Sequence, residues 1–241
     1  MLNAMIFAAG LGTRLRPFTN DRPKALVDLE GQTLLERAIR KLALLKVDRI
    51  VINIHHFGEQ IIDFMNVNDN FGLDIRISDE RDELLDTGGG LKKAASLFIP
   101  DAPVLIYNVD VFSDMDLNVL VRNHQEKKAL ATLAVRKRET SRYLVFDSNF
   151  QLCGWKNVTT GEVKEARPIP AAAKEFAFNG VHVVSPEIFS LINEEGKFSI
   201  IDLYLRLAAD HPVYAFHDQS EVWIDLGKPN QLKMAADRIR K

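Results

Sequence analysis

A glycine-rich segment near the amino terminus carries the residue types best suited to bind phosphate. Gly10 and Gly12 follow an apolar run, and Arg14 comes soon after the second glycine. Glycines let the backbone turn sharply and approach a ligand, and successive backbone N–H groups in such a turn bind anions. Arg14 adds a planar set of donors that matches phosphate oxygens, and Lys24, held after Pro23, adds a compact positive charge. This combination predicts a site for a polyphosphate.

The same residues also fit a purely structural explanation. A strand followed by two glycines forms a tight turn without any ligand, and most lysines are solvated surface residues. The segment is not a Walker loop, because no Gly-Lys-Ser/Thr sequence closes it, and it lacks the third glycine of the dinucleotide-binding fingerprint. The glycines alone therefore do not separate a phosphate site from a turn.

Amide and acidic side chains follow other apolar segments of the chain. Asn108 and Asp110 come after one apolar run, Asn53 ends another, and Asp225 lies in a short apolar segment near the carboxyl terminus. An aspartate after a strand is also a common turn former or helix cap. In a parallel sheet, however, the loops at the carboxyl ends of the strands build the ligand site. These polar residues are thus expected to meet the glycine segment in one crevice.

The elements that must position these residues alternate between strand and helix over the first half. We predict an α/β fold with a Rossmann-like, mostly parallel sheet and helices on both faces. Residues 1–241 are read as a single domain with two halves, 1–128 and 129–241, of which the second is expected to supply the acceptor side of the site. Apolar patterning predicts strands over 4–9, 49–54, 73–77, 103–107, 130–136, 143–147, 176–184 and 213–216. It predicts helices over 34–45, 59–65, 88–97, 201–209 and 229–240 and one from Leu117, which Asp114 and Asp116 are expected to cap.

An N-terminal motif and five further motifs in order give the chain a resemblance to the nucleotide-sugar pyrophosphorylases over nearly its whole length. The N-terminal motif is G-L-G-T-R-L-R-P with its continuation P-K-A-L-V. The others are I-N-I-H-H-F-G-E-Q-I, L-L-D-T-G-G-G-L, N-V-D-V, F-N-G-V-H-V and W-I-D-L-G. The branches that the chain most resembles act on N-acetylmuramate, mannose or heptose 1-phosphate. The resemblance implies a sugar-1-phosphate nucleotidyltransferase that uses Mg²⁺, an NTP and a sugar 1-phosphate, and makes a nucleotide sugar for cell-wall or related biosynthesis.

The resemblance also implies a role for each matching position. Arg14 and Lys24 become the catalytic cations, on the β- and γ-phosphates and on the α-phosphate, while Asp110 and Asp225 bind Mg²⁺. The turn from Asp86 to Gly90 passes the nucleobase, which needs a flat surface. The implied nucleotide-binding residues are Ala8, Ala9, Gly10, Gly12, Thr13, Asn53, Thr87, Gly88 and Gly89. The implied residues for the sugar phosphate are Asn108, Glu175, Asn179 and Gly180.

Two departures from the family pattern affect the acceptor side. Val109 stands where relatives have a small residue between the asparagine and the metal-binding aspartate. The Glu-Lys-Pro motif, whose lysine meets the sugar phosphate in many relatives, is absent. Lys156 and Lys164 are both candidates to replace that lysine, and the sequence does not choose between them.

Composition excludes several other functions. The formal net charge of −2 gives no basic surface for nucleic acid. A single cysteine excludes an internal disulfide and fits a reducing, cytoplasmic compartment. No apolar run approaches the ~20 residues of a membrane-spanning helix. His55 and His56 are adjacent and point to opposite faces of an extended chain, so they do not predict a zinc site. We expect a monomer or a small homo-oligomer.

Three hypotheses remain open at this point. The T-G-G-G sequence favours UTP as the donor, with a guanylyltransferase as a near alternative. A cytidylyltransferase acting on a phosphorylated alcohol such as phosphocholine shares the glycine segment and the Lys24 region. A non-catalytic nucleotide-sugar sensor is a different class of protein. The presence of Arg14, Lys24, Asp110 and Asp225 together argues against the sensor.

Overall fold

The chain builds a ten-stranded mixed sheet with helices on both faces. The computed structural model describes residues 1–240, so Lys241, the last residue of the predicted domain, lies outside the described part. In chain order the strands are β1 (Asn3–Phe7), β2 (Asp28–Leu29), β3 (Gln32–Thr33), β4 (Arg49–Ile54), β5 (Ile75–Asp79), β6 (Val104–Asn108), β7 (Val111–Ser113), β8 (Ala131–Arg136), β9 (Arg142–Phe146), β10 (Leu152–Asn157), β11 (Val163–Glu165), β12 (Lys174–Val184), β13 (Val213–His217) and β14 (Trp223–Asp225). The α-helices are α1 (Leu34–Leu44), α2 (Gly58–Val67), α3 (Asp86–Ala94), α4 (Leu117–Glu126), α5 (Ile188–Leu191), α6 (Ile200–Ala208) and α7 (Pro229–Ile239).

Strand β1 lies at the centre of the parallel part of the sheet. It pairs with β4 on one side and with β6 on the other, and β5 pairs in parallel with β4. The register places Phe7, the last residue of β1, opposite both Asn53 and Asn108. The carboxyl ends of these strands therefore bring residues from distant parts of the sequence to one edge.

Helices cover both faces of this sheet, which explains the continuous apolar runs of its strands. Successive residues of β1 enter different cores, Ile6 on one face and Met5 on the other. Helices α1, α2, α4 and α7 pack on the first face, and α3, α5 and α6 on the second. None of the helices within residues 1–240 is long and apolar enough to cross a membrane.

The helix starts follow capping rules visible in the sequence. The hydroxyl of Thr33 accepts a hydrogen bond from the backbone N–H of Glu36 at 3.0 Å, as the T-L-L-E pattern predicts. The Glu36 carboxylate turns to Arg40 instead of completing a reciprocal cap. Asp116 caps α4 through the N–H of Asn118, whereas Asp114 accepts a hydrogen bond from the N–H of Val222 and so ties β7 to the region of β14.

The second half of the chain joins the same sheet mainly through antiparallel pairs. The long strand β12 pairs with β6, β8 and β9, so it connects the parallel part to the hairpin of β9, β10 and β11. The hairpin strands β10 and β11 fall largely in the polar stretch 154–174, where the sequence predicted no element. The burial of these strands explains this failure, because the second half of β10 is only partly buried and β11 is exposed.

The predicted α/β class, with a mostly parallel central sheet between helices, is confirmed. Most predicted element ends lie within a residue or two of those observed. Strand β5 is an informative case, because it begins and ends two residues later than predicted. Its last residue is Asp79, so Glu80 follows it directly at the edge of the sheet where β1, β4 and β6 also end.

Candidate active site

A cavity of about 370 Å³ opens at the carboxyl ends of the four parallel strands. It lies where an open α/β sheet is expected to bind its ligand. Eight of the residues predicted to form the site line this cavity: Ala8, Ala9, Gly10, Lys24, Asn53, Thr87, Asn108 and Asp110. Asp86, the first residue of the predicted base-binding turn, also lines it, and five further lining residues were given no role by the sequence: Phe7, Glu80, Leu84, Val109 and Lys197.

The glycine segment forms a loop with unpaired backbone donors. Within residues 1–240, none of the N–H groups from Gly10 to Arg14 donates a hydrogen bond to another protein atom, although the N–H of Leu15, which is fully buried, bonds to the carbonyl of Gly12 at 2.9 Å. Thr13 begins the single helical turn that Leu15 anchors. A row of free N–H groups anchored at one end is suited to bind phosphate oxygens.

Gly12 brings this loop against Lys24. Its φ is +64°, and a Cβ atom on it would lie 3.0 Å from the Cβ of Lys24 and 3.1 Å from the Cγ2 of Thr19. The Thr19 hydroxyl also donates to the carbonyl of Gly12 at 2.9 Å. A side chain at position 12 would therefore be strained and crowded. Gly10 differs, because nothing lies within 4 Å of its Cβ position.

Asn53 holds the start of the loop to the sheet. Its Oδ1 accepts hydrogen bonds from the N–H groups of Ala8 at 2.7 Å and Ala9 at 3.3 Å, and its Nδ2 donates to Glu80 at 2.8 Å. The prediction had Asn53 facing the nucleobase. Its Oδ1 is used inside the protein, whereas Nδ2 donates one of its two hydrogens to Glu80 and the residue lines the cavity, so the contact with the base stays a prediction. Ala8 and Ala9 likewise line the cavity with their N–H groups already used. In this structure Asn53 positions the loop.

Glu80 is a buried carboxyl in the wall of the cavity. It is 0% exposed, and burial raises its pKa, against the opposing effect of the hydrogen bond from Asn53. A Cβ atom on Gly90 would lie 2.7 Å from the Oε1 of Glu80, so the α3 backbone packs directly on this carboxyl group. The predicted early end of β5 is what left Glu80 out of the predicted site.

Lys24 and Asp110 form an ion pair inside the cavity. The ammonium of Lys24 donates to Oδ2 of Asp110, and the two side chains are 11% and 19% exposed. Proline at position 23 and a helical turn over Lys24–Leu26 fix the lysine backbone, while Asp110 follows β6. The pair places a positive charge and a carboxylate together next to the glycine loop, as the sequence analysis predicted for two of its functional residues.

Asp225 is brought towards Asp110 by backbone pairing. Strand β14 pairs with β7 so that Asp225 lies opposite Val111, and the N–H of Leu226 donates to the carbonyl of Asp110 at 2.8 Å. Oδ1 of Asp225 accepts a hydrogen bond from the N–H of Gly227. Among the described residues, Oδ1 of Asp110 and Oδ2 of Asp225 accept no hydrogen bond.

Arg14 lies on the same side as Asp225, outside the lining of the cavity. A Cβ atom on Gly227 would lie 2.7 Å from Nη2 of Arg14 and 2.7 Å from Oδ1 of Asp225. A side chain at position 227 would thus displace one of these two groups. Gly227 is a residue of the site that the sequence analysis did not name, although it ends the W-I-D-L-G motif.

The glycines of α3 do not form the predicted flat surface for a base. A Cβ atom on Gly88 would lie 2.3 Å from the Phe198 ring, and one on Gly89 would lie 2.4 Å from the carbonyl oxygen of Gly196. Both glycines are buried against the loop that precedes α6. The cavity is lined instead by Asp86 and Thr87, with Leu84 just before them.

On the predicted acceptor side, the structure separates residues expected to act together. Gly180 packs on Asn108, since its Cβ position is 2.9 Å from Nδ2 of Asn108. Asn179 is only 1% exposed, and its amide bonds to Asp218 and to the N–H of Val181. Asn179 therefore does not line the cavity, and its predicted contact with the sugar phosphate is replaced by an internal one.

The two candidate lysines and Glu175 also lie outside the cavity lining. Lys156 pairs with Glu175, and both side chains are partly exposed. Lys164 donates to Asp202 of α6 at 2.8 Å and lies 5.4 Å from the Trp155 ring centroid. Neither lysine lines the cavity in this arrangement, so the structure does not choose between them.

Comparisons with known proteins identify the family of the chain. A family model described as "Nucleotidyl transferase" matches residues 3–241. The chain is 33% identical to the N-acetylmuramate alpha-1-phosphate uridylyltransferase of Caulobacter vibrioides, over 97% of this chain and 95% of that protein. It is 28% identical to the mannose-1-phosphate guanyltransferase of Yarrowia lipolytica, over 95% of this chain but only 61% of that protein.

A solved structure shares the fold at lower identity. HddC from Yersinia pseudotuberculosis, complexed with GMP-PN, has a TM-score of 0.77 and 21% identity over 99% of this chain and all of that one. The predicted resemblance to the nucleotide-sugar pyrophosphorylases and the predicted sugar-1-phosphate nucleotidyltransferase activity are confirmed. The chain belongs to the nucleotidyl transferase family.

Proposed function

We propose that this protein joins UTP to a sugar 1-phosphate, giving a nucleotide sugar and pyrophosphate. The observation that carries the proposal is the Lys24–Asp110 pair, set in the cavity beside a loop with five consecutive free N–H groups. Arg14 and Asp225 flank this arrangement across Gly227. Cations, free amides and carboxylates in one place suit a reaction between two phosphates.

The chemistry requires no strong base. An oxygen of the acceptor phosphate, already an anion, forms a bond to the α-phosphorus, and the bond from that phosphorus to the pyrophosphate oxygen breaks. The site must neutralise charge and hold the groups in line. Lys24 lies where it can stabilise the α-phosphate, while Arg14 and the amides of residues 10–14 hold the leaving pyrophosphate.

We assign Mg²⁺ to the two aspartates, since members of this family generally act with a divalent metal. Each carboxylate keeps one oxygen without a hydrogen-bond partner among residues 1–240, and backbone pairing holds Asp110 and Asp225 in neighbouring segments. Carboxylate oxygens are the hard ligands that Mg²⁺ prefers. When bound, the metal supplies Lewis-acid neutralisation of the reacting phosphates.

UTP is the favoured donor, with GTP as the second candidate. The uridylyltransferase from Caulobacter vibrioides aligns with this chain over 95% of its length, which supports UTP. The fold shared with HddC, a protein solved with GMP-PN, supports testing GTP as well. The cytidylyltransferase hypothesis remains an outcome of the same test.

The two predicted halves supply different parts of the site, and we keep this division as a proposal. The nucleotide-binding half, 1–128, contributes every lining residue except Lys197. The second half, 129–241, contributes Asp225, Gly180 and Lys197. The cytoplasmic location, the link to cell-wall synthesis and the monomeric or small oligomeric state stay predictions.

A pyrophosphate-release assay tests the proposed function. Each of UTP, GTP, CTP and TTP is combined with N-acetylmuramate, N-acetylglucosamine, glucose and mannose 1-phosphates and with phosphocholine, with and without Mg²⁺. We expect the highest kcat/KM with UTP and a sugar 1-phosphate, and no release after chelation by EDTA. Highest activity with GTP or with phosphocholine would replace the proposal by the corresponding alternative.

A further inference from the structure

Lys197 is a second cation in the cavity, and the reaction described above does not use it. Two lysines line the cavity, Lys24 and Lys197. Lys24 is paired with Asp110, whereas no carboxylate of residues 1–240 lies within 4.0 Å of the Lys197 ammonium. Lys197 is exposed, so its ammonium is available to pair with an anion that a ligand supplies.

The loop that carries Lys197 is fixed to the wall of the cavity. The N–H of Gly88 donates to the carbonyl of Phe198 at 2.9 Å, and the N–H of Phe198 donates to the carbonyl of Leu85 at 3.2 Å. The N–H of Ile200 donates to the hydroxyl of Thr87 at 3.0 Å. These bonds tie the residues that follow Lys197 to the start of α3, so this side of the loop is held in place.

The part of this loop that precedes Lys197 is also held to the helices. Lys92 of α3 donates to the carbonyl of Glu194 at 2.5 Å, and Arg206 of α6 binds the Glu194 carboxylate at 2.6 Å. The absence of side chains on Gly88 and Gly89 allows the loop to pack this closely. Pre-organisation of this kind lowers the entropic cost of fixing a binding group.

In the proposed function, two cations of the protein already neutralise the phosphates of the donor nucleotide. Arg14 and Lys24 lie next to the free amides of the glycine loop, and the acceptor phosphate must come to this same place to attack the α-phosphorus. Lys197 enters from a different element, at the junction of α3 and α6. It is therefore placed to meet a part of the acceptor other than its phosphate.

We propose that Lys197 determines acceptor specificity by binding a carboxylate carried by the sugar 1-phosphate. This inference rests on the proposed function and names its acceptor class, a sugar acid phosphate. The uridylyltransferase relative from Caulobacter vibrioides is named for such an acceptor, because N-acetylmuramate carries a lactyl carboxylate. A lysine–carboxylate pair is a charge-assisted hydrogen bond, so it favours an acceptor that carries the carboxylate over one that lacks it.

Two acceptors that differ by the lactyl group test the proposal. Pyrophosphate release with UTP is measured for N-acetylmuramate 1-phosphate and N-acetylglucosamine 1-phosphate, with the native protein and Lys197→Ala. In the native protein we expect the higher kcat/KM with the carboxylate-bearing acceptor. In Lys197→Ala we expect the ratio of the two values to fall at least about tenfold, mostly through KM for the carboxylated acceptor.

Matched variants separate this role from others. Lys197→Arg is expected to retain most of the ratio, because a guanidinium also pairs with a carboxylate. Lys233→Ala removes an exposed lysine of α7 and should leave both rates unchanged. Thermal unfolding of each variant checks that the fold is retained.

The outcomes distinguish this inference from the proposed function. Equal losses for both acceptors in Lys197→Ala would mean that Lys197 binds the common phosphate and would overturn the proposal. An unchanged ratio in an active enzyme would also overturn it. If the native protein releases no pyrophosphate from UTP with any sugar 1-phosphate, the proposed function itself fails.

Discussion

Lys24 and Asp110 illustrate how single residues acquire function from position. They are 86 residues apart in sequence, yet the ammonium and the carboxylate meet inside the cavity. A partly buried charge that loses its partner is costly, so the pair also stabilises the local structure. A conservative replacement that keeps the shape of Asp110 therefore separates its chemical role from its structural one.

Asp110→Asn is expected to fold and to lose at least about 100-fold in kcat. Asparagine keeps an oxygen that can accept the hydrogen bond from Lys24 but has no negative charge to bind a metal. Pyrophosphate release with saturating Mg²⁺ measures the loss. Asp63→Asn, at an exposed position of α2, is the control and should behave like the native protein. Near-native turnover in Asp110→Asn would contradict the metal assignment.

Lys24→Ala is expected to lower kcat by about 100-fold, with a smaller change in KM for the nucleotide. The ammonium is proposed to act on the α-phosphate, where charge develops in the transition state. Steady-state kinetics over a range of UTP concentrations separates the two parameters. A rise in KM with normal kcat would show instead that Lys24 contributes only to ground-state binding.

The sequence allowed part of the site to be predicted at the level of residues. Asn53, Asn108 and Asp110 were found because polar residues at strand ends meet at one edge of a parallel sheet, and Lys24 was found because Pro23 holds it near the glycine segment. Lys197 carried no such signal, since its place in the cavity depends on how a loop packs on α3. The use of Asn53 as an internal anchor also depends on side-chain geometry that composition and spacing do not contain.

At the scale of elements, helix α3 links the nucleotide side of the cavity to the loop that carries Lys197. Its three glycines were predicted to serve a base, but Gly88 and Gly89 serve helix–loop packing and Gly90 packs on Glu80. The T-G-G-G sequence correctly marked a segment that borders the cavity. The role of its glycines, however, is set by the close packing of α3 on the loop that precedes α6.

Gly88→Ala is expected to destabilise the protein by up to about 2 kcal/mol. The new Cβ would lie 2.3 Å from the Phe198 ring, and overpacking of this kind costs about 1–3 kcal/mol. The better helix propensity of alanine, worth about 1 kcal/mol, offsets only part of this cost. Urea unfolding measures the change, with Gly10→Ala as the control because its Cβ position is open. A more stable Gly88→Ala variant would mean that the loop does not pack on α3 as described.

At the scale of the whole molecule, β12 joins the predicted halves through one sheet. The parallel half followed from its regular alternation of strands and helices, whereas the antiparallel pairs of β9 to β12 did not, because polar hairpin strands lack a clear pattern. His182 of β12 is buried between the rings of Phe178 and Tyr204. Within residues 1–240 neither nitrogen of His182 has a hydrogen-bond partner.

Buried histidines make the stability of the whole fold depend on pH. Burial lowers the pKa of His182 to about 3 and that of His124 to about 4. In the unfolded chain both titrate near their ordinary pKa of about 6.5. Below that pH the unfolded state binds protons that the folded state does not, so the free energy of unfolding falls as the pH falls. Each histidine lowers it by about 1.4 kcal/mol per pH unit in this range, or about 2 kcal/mol between pH 7 and pH 5.

His182→Phe tests this pH dependence without changing the ring packing greatly. Urea unfolding of the native protein and the variant is measured at pH 7 and at pH 5. The native protein should lose about 2 kcal/mol more than the variant between the two, because the variant lacks one titrating group while every carboxylate is shared. Parallel losses would mean that His182 has the same pKa in the folded and unfolded chains. That result would require a partner for its ring nitrogens and so a different packing of β12 on α6.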